Sequence, residues 1–169
     1  MWPRPDFRII GLCVAFLLAG PISRAELRLG DPLPPLAEFA LAGDPLPDLR
    51  DRVVVLDFWA SWCPPCRAAF PALAGLHRDY AARGLVIVAV GVDAEAPAHA
   101  AFLRRMAPPF ATAHDRERQL AAAVGVPAMP STFVFGRDGR LRSVHRGFHG
   151  RGTAEALARE IENLLQERE

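Results

Sequence analysis

The chain has 169 residues, one domain's worth, and 51% of them are apolar, which is enough for a packed core. Its net charge is +1 and the charges are scattered, which excludes the clustered basic face of a nucleic-acid-binding protein. All 20 basic residues are Arg, so chemistry that needs a P-loop lysine or a Schiff-base lysine is excluded as well.

The first segment reads as a leader rather than as part of the fold. Arg4 and Arg8 form a positive region ahead of an apolar run over residues 9–20, which is too short to span a bilayer comfortably. Pro21 ends the run, and Ser23 and Ala25 put small residues at the two positions a signal peptidase reads. The pattern predicts a signal peptide over residues 1–25, cleaved after Ala25, and one domain over residues 26–169. An uncleaved N-terminal anchor is the alternative. Cys13 does not sit in a lipobox, because Leu12 is bulky and more apolar chain follows. Loss of residues 1–25 removes Arg4, Arg8, Arg24 and Asp6 and takes the net charge from +1 to −1. It also removes Cys13, leaving Cys63 and Cys66 as the only cysteines of an exported, periplasmic chain.

Residues 26–50 are punctuated by proline, with Leu27 and Leu29, then Phe39 and Leu41, alternating as short edge strands do. Residues 53–59 are β-branched and apolar, the mark of a strand buried on both faces. A helix is predicted over 64–83 from the three-to-four-residue spacing of Phe70, Leu73, Leu76 and Tyr80, with a kink at Pro71. A second buried strand follows over 85–92, then a helix over 98–106, a short strand over 110–113 and a helix over 116–124 ended by Gly125. Strands over 132–135 and 141–144 are joined at Arg137-Asp138-Gly139 as a hairpin. The last helix is predicted over 153–166, with Thr153 as its N-cap. Strands alternating with helices and closed by a hairpin give an α/β fold: a mixed central sheet with helices on both faces.

Cys63-Pro64-Pro65-Cys66 leads directly from a buried strand into a helix, and that context marks C-x-x-C as a redox pair. A structural bridge usually closes a long loop, whereas a bridge over two residues constrains little. Cys63 falls at a helix N-terminus, where free N–H groups and the macrodipole favour the attacking thiolate. Cys66 lies one turn on and resolves the mixed disulfide. Zinc needs four ligands, and His145 and His149, although spaced H-x3-H, are far from the cysteines. His77, His99 and His114 read as surface or helix-face residues rather than ligands, so no metal site is expected. Asp57 is a carboxylate inside an apolar strand. It is either a buried structural group or a proton acceptor for Cys66, since burial raises a carboxylate pKa toward the useful range.

The segment Val54-Val55-Leu56-Asp57-Phe58-Trp59-Ala60-Ser61-Trp62-Cys63-Pro64-Pro65-Cys66 resembles the active site of the TlpA/ResA-like branch of the thioredoxin superfamily. Ala128-Met129-Pro130-Ser131-Thr132-Phe133-Val134-Phe135 is similar to that branch's cis-proline strand. The resemblance covers residues 30–165 and implies a thioredoxin-like fold. It also implies exported, often membrane-associated proteins that exchange dithiols with other proteins, several of them serving cytochrome c maturation or copper-site assembly. Asp57 stands at the position of the buried Asp of thioredoxins. The Glu that many members carry three residues after the second cysteine is Ala69 here, which leaves an acidic site of that type unsupported. The resemblance favours a cis peptide bond at Pro130, presenting the Met129 backbone to substrate; a trans proline at a strand start is the alternative. Trp59 is expected in the core and Trp62 along the substrate approach. Arg67, next to Cys66, adds positive potential or is simply a solvated helix residue.

The candidate catalytic residues are therefore Cys63, Cys66, Asp57 and Pro130, with Trp62, Pro64, Pro65 and Met129 contacting substrate. The leading reading is a monomeric protein-disulfide reductase with no cofactor beyond the Cys63–Cys66 disulfide. Its expected partners are a disulfide- or dithiol-bearing protein and a membrane thiol-electron donor. A periplasmic oxidant is the runner-up within the same chemistry. A copper chaperone of this fold uses C-x3-C and a distant His, unlike the C-x2-C here. A peroxidase of related fold needs Thr-x-x-Cys, and this chain has no such segment.

Overall fold

The computed structural model describes residues 26–167; the expected leader, its cleavage point and Cys13 lie outside the described residues. Within them the elements are β1 (Ala42–Gly43), β2 (Val53–Trp59), α1 (Pro64–Tyr80), β3 (Leu85–Gly91), α2 (Ala96–Met106), β4 (Ala111–His114), α3 (Gln119–Val124), β5 (Ser131–Phe135), β6 (Leu141–Arg146) and α4 (Arg151–Gln166). They build one six-stranded sheet in the order β1-β4-β3-β2-β5-β6. β2, β3 and β4 are parallel, while β1, β5 and β6 join antiparallel. This is the mixed, thioredoxin-like sheet that the sequence implies.

β2 is central, and all seven of its residues are buried. That is why its sequence is a continuous apolar run rather than an alternation. Residues two apart share a face, so Val53, Val55, Asp57 and Trp59 point one way. Trp59 packs on Phe70 of α1 and Phe102 of α2, at ring-centroid distances of 5.3 and 4.4 Å. α1 also packs on α4, which contacts β2. The face bearing Asp57 is therefore the one under α1, α2 and α4. The opposite face, with Val54, Leu56 and Phe58, is left to α3 and the N-terminal stretch, whose Leu36, Leu120 and Val124 are buried.

Several boundaries differ from the sequence reading. Leu27 and Leu29 lie in no strand, and neither do Phe39 and Leu41, which follow a 3-10 turn (Leu36–Glu38); the proline-rich stretch contributes only β1 and an isolated bridge, Pro32 to Arg140. α1 runs unbroken through Pro71 to Tyr80 and then tightens into a 3-10 turn, Ala81–Arg83, closed by Gly84 at φ 106°. α3 begins at Gln119 rather than Arg116 because Arg118 is left-handed at φ 54°. The Asp115 carboxylate accepts from the N–H groups of Gln119 (2.9 Å) and Ala121 (2.8 Å), and so caps that helix. Thr153 is not the N-cap of α4: Gly150 holds that place, and the Thr153 hydroxyl accepts from the His149 N–H at 3.0 Å. Among the described residues no helix is long and apolar enough to cross a membrane.

Candidate active site

β2 delivers the chain to the rim of the sheet, and a short loop turns it into α1. Cys63 is the N-cap of that helix, and Pro64 and Pro65 occupy its first positions. Proline fits there because the first N–H groups of a helix have no internal partner and its φ is already helical. It also leaves few donors for the cysteine sulfur. The Cys66 N–H is the one that reaches Cys63 Sγ, at 3.2 Å. The two cysteines form a disulfide, with Cα atoms 5.3 Å apart, and both are buried. Pro64, Pro65 and Arg67 are exposed.

The loop before Cys63 is tied down from behind. Asp93, just past β3 and 2% exposed, accepts from the Ser61 N–H (3.1 Å) and the Ser61 hydroxyl (2.7 Å). Trp59 is buried as expected and stacks on both Phe102 and the His99 ring (4.9 Å) of α2, and His99 in turn stacks on His114 (4.0 Å). His114 Nε2 donates to the Asp93 carbonyl at 2.7 Å. Of the two, His99 does lie on a helix, α2, whereas His114 lies on β4, and neither is a surface residue: both are only 7% exposed. Burial, and secondarily the neighbouring His114, holds the His99 pKa down to about 4, so its ring is neutral. Gly91 makes the stacking possible, since a Cβ there would lie 2.4 Å from the His99 ring. Parallel stacked imidazoles do not converge on a point, and among the described residues no cluster of metal-ligating side chains occurs.

Asp57 is 1% exposed. It sits opposite Thr132 of β5, whose hydroxyl donates to Oδ1 at 2.7 Å, while Oδ2 has no partner. Burial raises its pKa to about 7, against the lowering effect of the Thr132 hydrogen bond. By strand alternation its carboxyl faces α1, the helix that carries Cys66. Met129–Pro130 is a cis peptide bond, and Pro130 is buried. The turn around it is closed by the Ser131 hydroxyl on the Ala128 carbonyl (2.7 Å) and by the Gly147 N–H on the Pro130 carbonyl (2.8 Å). Trp62 is 65% exposed. With Met129, Val126, Ala122 and Arg118 it lines a depression of about 250 Å³.

The fold thus brings Trp62 and Met129 together beside the cysteine pair, and puts Asp57 under the helix that begins there. Sequence reasoning missed Ser61, Asp93 and Thr132. An Asp at the end of an otherwise apolar strand was a signal for Asp93. Thr132 had none, because its partner is set by strand register.

Residues 36–144 match the family model described as AhpC/TSA family. Curated relatives include thiol-disulfide oxidoreductase ResA of Bacillus subtilis, 31% identical over 121 residues, which are 72% of this chain and 65% of that protein. ResA of Oceanobacillus iheyensis is 30% identical over 60% of this chain and 53% of its own length. The chain therefore spans less than two thirds of these two relatives. Among solved structures, a candidate thiol:disulfide interchange protein DsbE from Chlorobium tepidum superposes with a TM-score of 0.76 and 38% identity, covering 83% of this chain and 99% of that one. With more than half its length matched, and with the sheet order and cysteine placement described above, the chain belongs to the AhpC/TSA family of thioredoxin-fold proteins, in company with ResA-like relatives.

Proposed function

We propose that this protein is an exported, periplasmic thiol–disulfide oxidoreductase that reduces disulfides in partner proteins. The observation that carries this reading is the Cys63–Cys66 disulfide at the head of α1, with Cys63 as N-cap next to the Trp62–Met129 depression. The names of the ResA and DsbE relatives support the same class of reaction. Ala60, three residues before Cys63, argues against a peroxidase.

In the reduced protein the Cys63 thiolate attacks one sulfur of a substrate disulfide, which releases the other as a thiolate and leaves a mixed disulfide. The Cys66 thiol gives its proton to the Asp57 carboxylate. The Cys66 thiolate then attacks Cys63 Sγ, closing the Cys63–Cys66 disulfide and expelling the second substrate thiolate. The substrate has gained two electrons and leaves as two thiolates, one of which can take the proton held by Asp57 and the other a proton from solvent. The disulfide itself is the redox group, so no added cofactor is invoked. Pro130 and the Met129 backbone border the substrate strand, with Trp62, Pro64 and Pro65 around it. A membrane thiol-electron donor must return two electrons before the next turn. The resemblance to the TlpA/ResA-like branch supports cytochrome c maturation or copper-site assembly as the setting, with the protein acting as a monomer.

The direction follows from how well the fold stabilises the Cys63 thiolate, since strong stabilisation makes a strong oxidant. Two of the first-turn donors are absent at Pro64 and Pro65, which favours a reductant. The Cys66 N–H on Cys63 Sγ is the observation favouring the oxidant instead. Equilibration with glutathione decides between them: a low midpoint is expected, and a midpoint near roughly −120 mV, that of a strong oxidant, overturns the direction. Cys66→Ser is expected to accumulate partner proteins in mixed disulfides through Cys63; labelling that favours Cys66 in the reduced protein reverses the roles. Exported protein is expected to begin at Glu26, and finding Met1 or Trp2 at its N-terminus makes the leader an anchor.

A further inference from the structure

We propose that Thr132 is a positioning residue for Asp57: its hydroxyl holds one carboxylate oxygen in place and leaves the other, Oδ2, as the oxygen that takes the proton of Cys66. The inference rests on the reading above in which Asp57 is the proton acceptor.

Register supplies the geometry. Asp57 on β2 pairs directly with Thr132 on β5, and residues paired across strands lie on one face, close enough for short side chains to touch. The Thr132 Oγ1 to Asp57 Oδ1 hydrogen bond is 2.7 Å long, between groups that are 6% and 1% exposed. A threonine in a strand has a stiff χ1, so this bond fixes the plane of the carboxyl rather than following it. Oδ2 is buried without any protein partner. A buried oxygen without a donor is costly and calls for an explanation, which a proton-accepting role supplies.

The groups around Asp57 leave Thr132 as the residue that tunes it. Beside it on β3 is Ala89, which is neutral. α1 brings Cys66, which is in the disulfide here. α4 buries Leu157 and Ile161, and its Glu160 is held by His145 Nε2 at 2.8 Å. His145 itself pairs with Thr132 on the far side, on β6. No charged neighbour shifts the Asp57 carboxyl: burial raises it and the Thr132 hydroxyl alone opposes. Removing that hydroxyl leaves Oδ1 as bare as Oδ2, which makes the charged form harder to reach and the proton harder to release.

The test is the titration of the Asp57 carboxyl, followed by its 13C resonance in the oxidised protein, together with the pH dependence of mixed-disulfide decay in single turnover. Thr132→Val is expected to move the Asp57 midpoint upward by about half a unit or more, a factor of ~3 in the proton equilibrium. The decay profile should move with it, and Thr132→Ser should restore both. Should Thr132→Val not fold, Thr132→Ala carries the same expectation. An unchanged carboxyl midpoint in the valine or alanine variant, or a serine variant that behaves like valine, overturns the proposal. A different result overturns the reading beneath it: a decay profile that keeps its midpoint in Asp57→Asn. The carboxyl titration reads Thr132 directly, so the two failures are distinguishable.

Discussion

The proposed role of Asp57 as proton acceptor suits its burial: with a pKa of about 7 it is charged often enough to accept a proton and basic enough to hold one. Its replacement by Asn keeps the shape and removes the base. General-base assistance contributes about 10²–10⁴-fold in rate, so Asp57→Asn is expected to slow mixed-disulfide resolution by about 10²-fold while sparing the first attack by Cys63. Stopped-flow alkylation of the two steps measures this, and equal rates in both proteins return Asp57 to a purely structural role. Asp57 was legible as a charge inside an apolar run. Its hydrogen bond to Thr132 was not, because the two are 75 positions apart and meet only through the register of β2 with β5.

At the level of elements, the segment ahead of Cys63 is held by what lies behind it. Asp93 ties down Ser61, while His99 from α2 lies flat on Trp59 over Gly91. A methyl at residue 91 would meet the His99 ring at 2.4 Å and Trp59 Cζ2 at 2.9 Å. Gly91→Ala is therefore expected to destabilise the fold by about 1–3 kcal/mol, the usual cost of overpacking. Adding His99→Ala should recover part of that loss, because the two residues share one space. Chemical denaturation of the three variants checks the coupling, and strictly additive losses refute the shared-space argument. From β2 onward the helices and strands were readable from periodicity to within a few residues, whereas the edge strands expected at Leu27 and Leu29 and at Phe39 and Leu41 did not form. Their ends were less so: the left-handed Arg118 delays α3, and Gly150 rather than Thr153 caps α4. Both depend on where neighbouring segments put the chain.

For the whole molecule, two buried groups make opposite demands on pH. The folded state holds a proton on Asp57 up to about pH 7, against an ordinary carboxyl pKa of 3.8. In that window it binds more protons than the unfolded chain, so stability falls as pH rises from 3.8 to 7. His99 behaves in the reverse way. Its folded pKa of about 4 lies below 6.5, so the unfolded chain binds more protons between those values and stability falls as pH drops through them. At ~1.4 kcal/mol per unit each effect is on the order of 3–5 kcal/mol, and over nearly the same range they largely offset. Thermal unfolding should then show little net slope from these two groups between about pH 4 and 6.5. Asp57→Asn is expected to stabilise the protein at neutral pH and to unmask a loss toward acid, and His99→Gln to unmask a loss toward neutral pH. Identical slopes in the wild type and both variants would refute the account.

The order of elements from β2 onward, the burial of β2 and the redox pair at the head of α1 were all legible in the sequence. Each of these is written in contiguous residues: a β-branched run, a 3.6-residue period, and two cysteines one helical turn apart. Tertiary structure decided what lies around the pair. Strand register joined Thr132 to Asp57, the packing of α2 on β2 buried His99 against Trp59, and the turn into β5 put Met129 beside Trp62. Contacts of this kind join residues distant in the chain, and no local periodicity or propensity encodes which of them will meet.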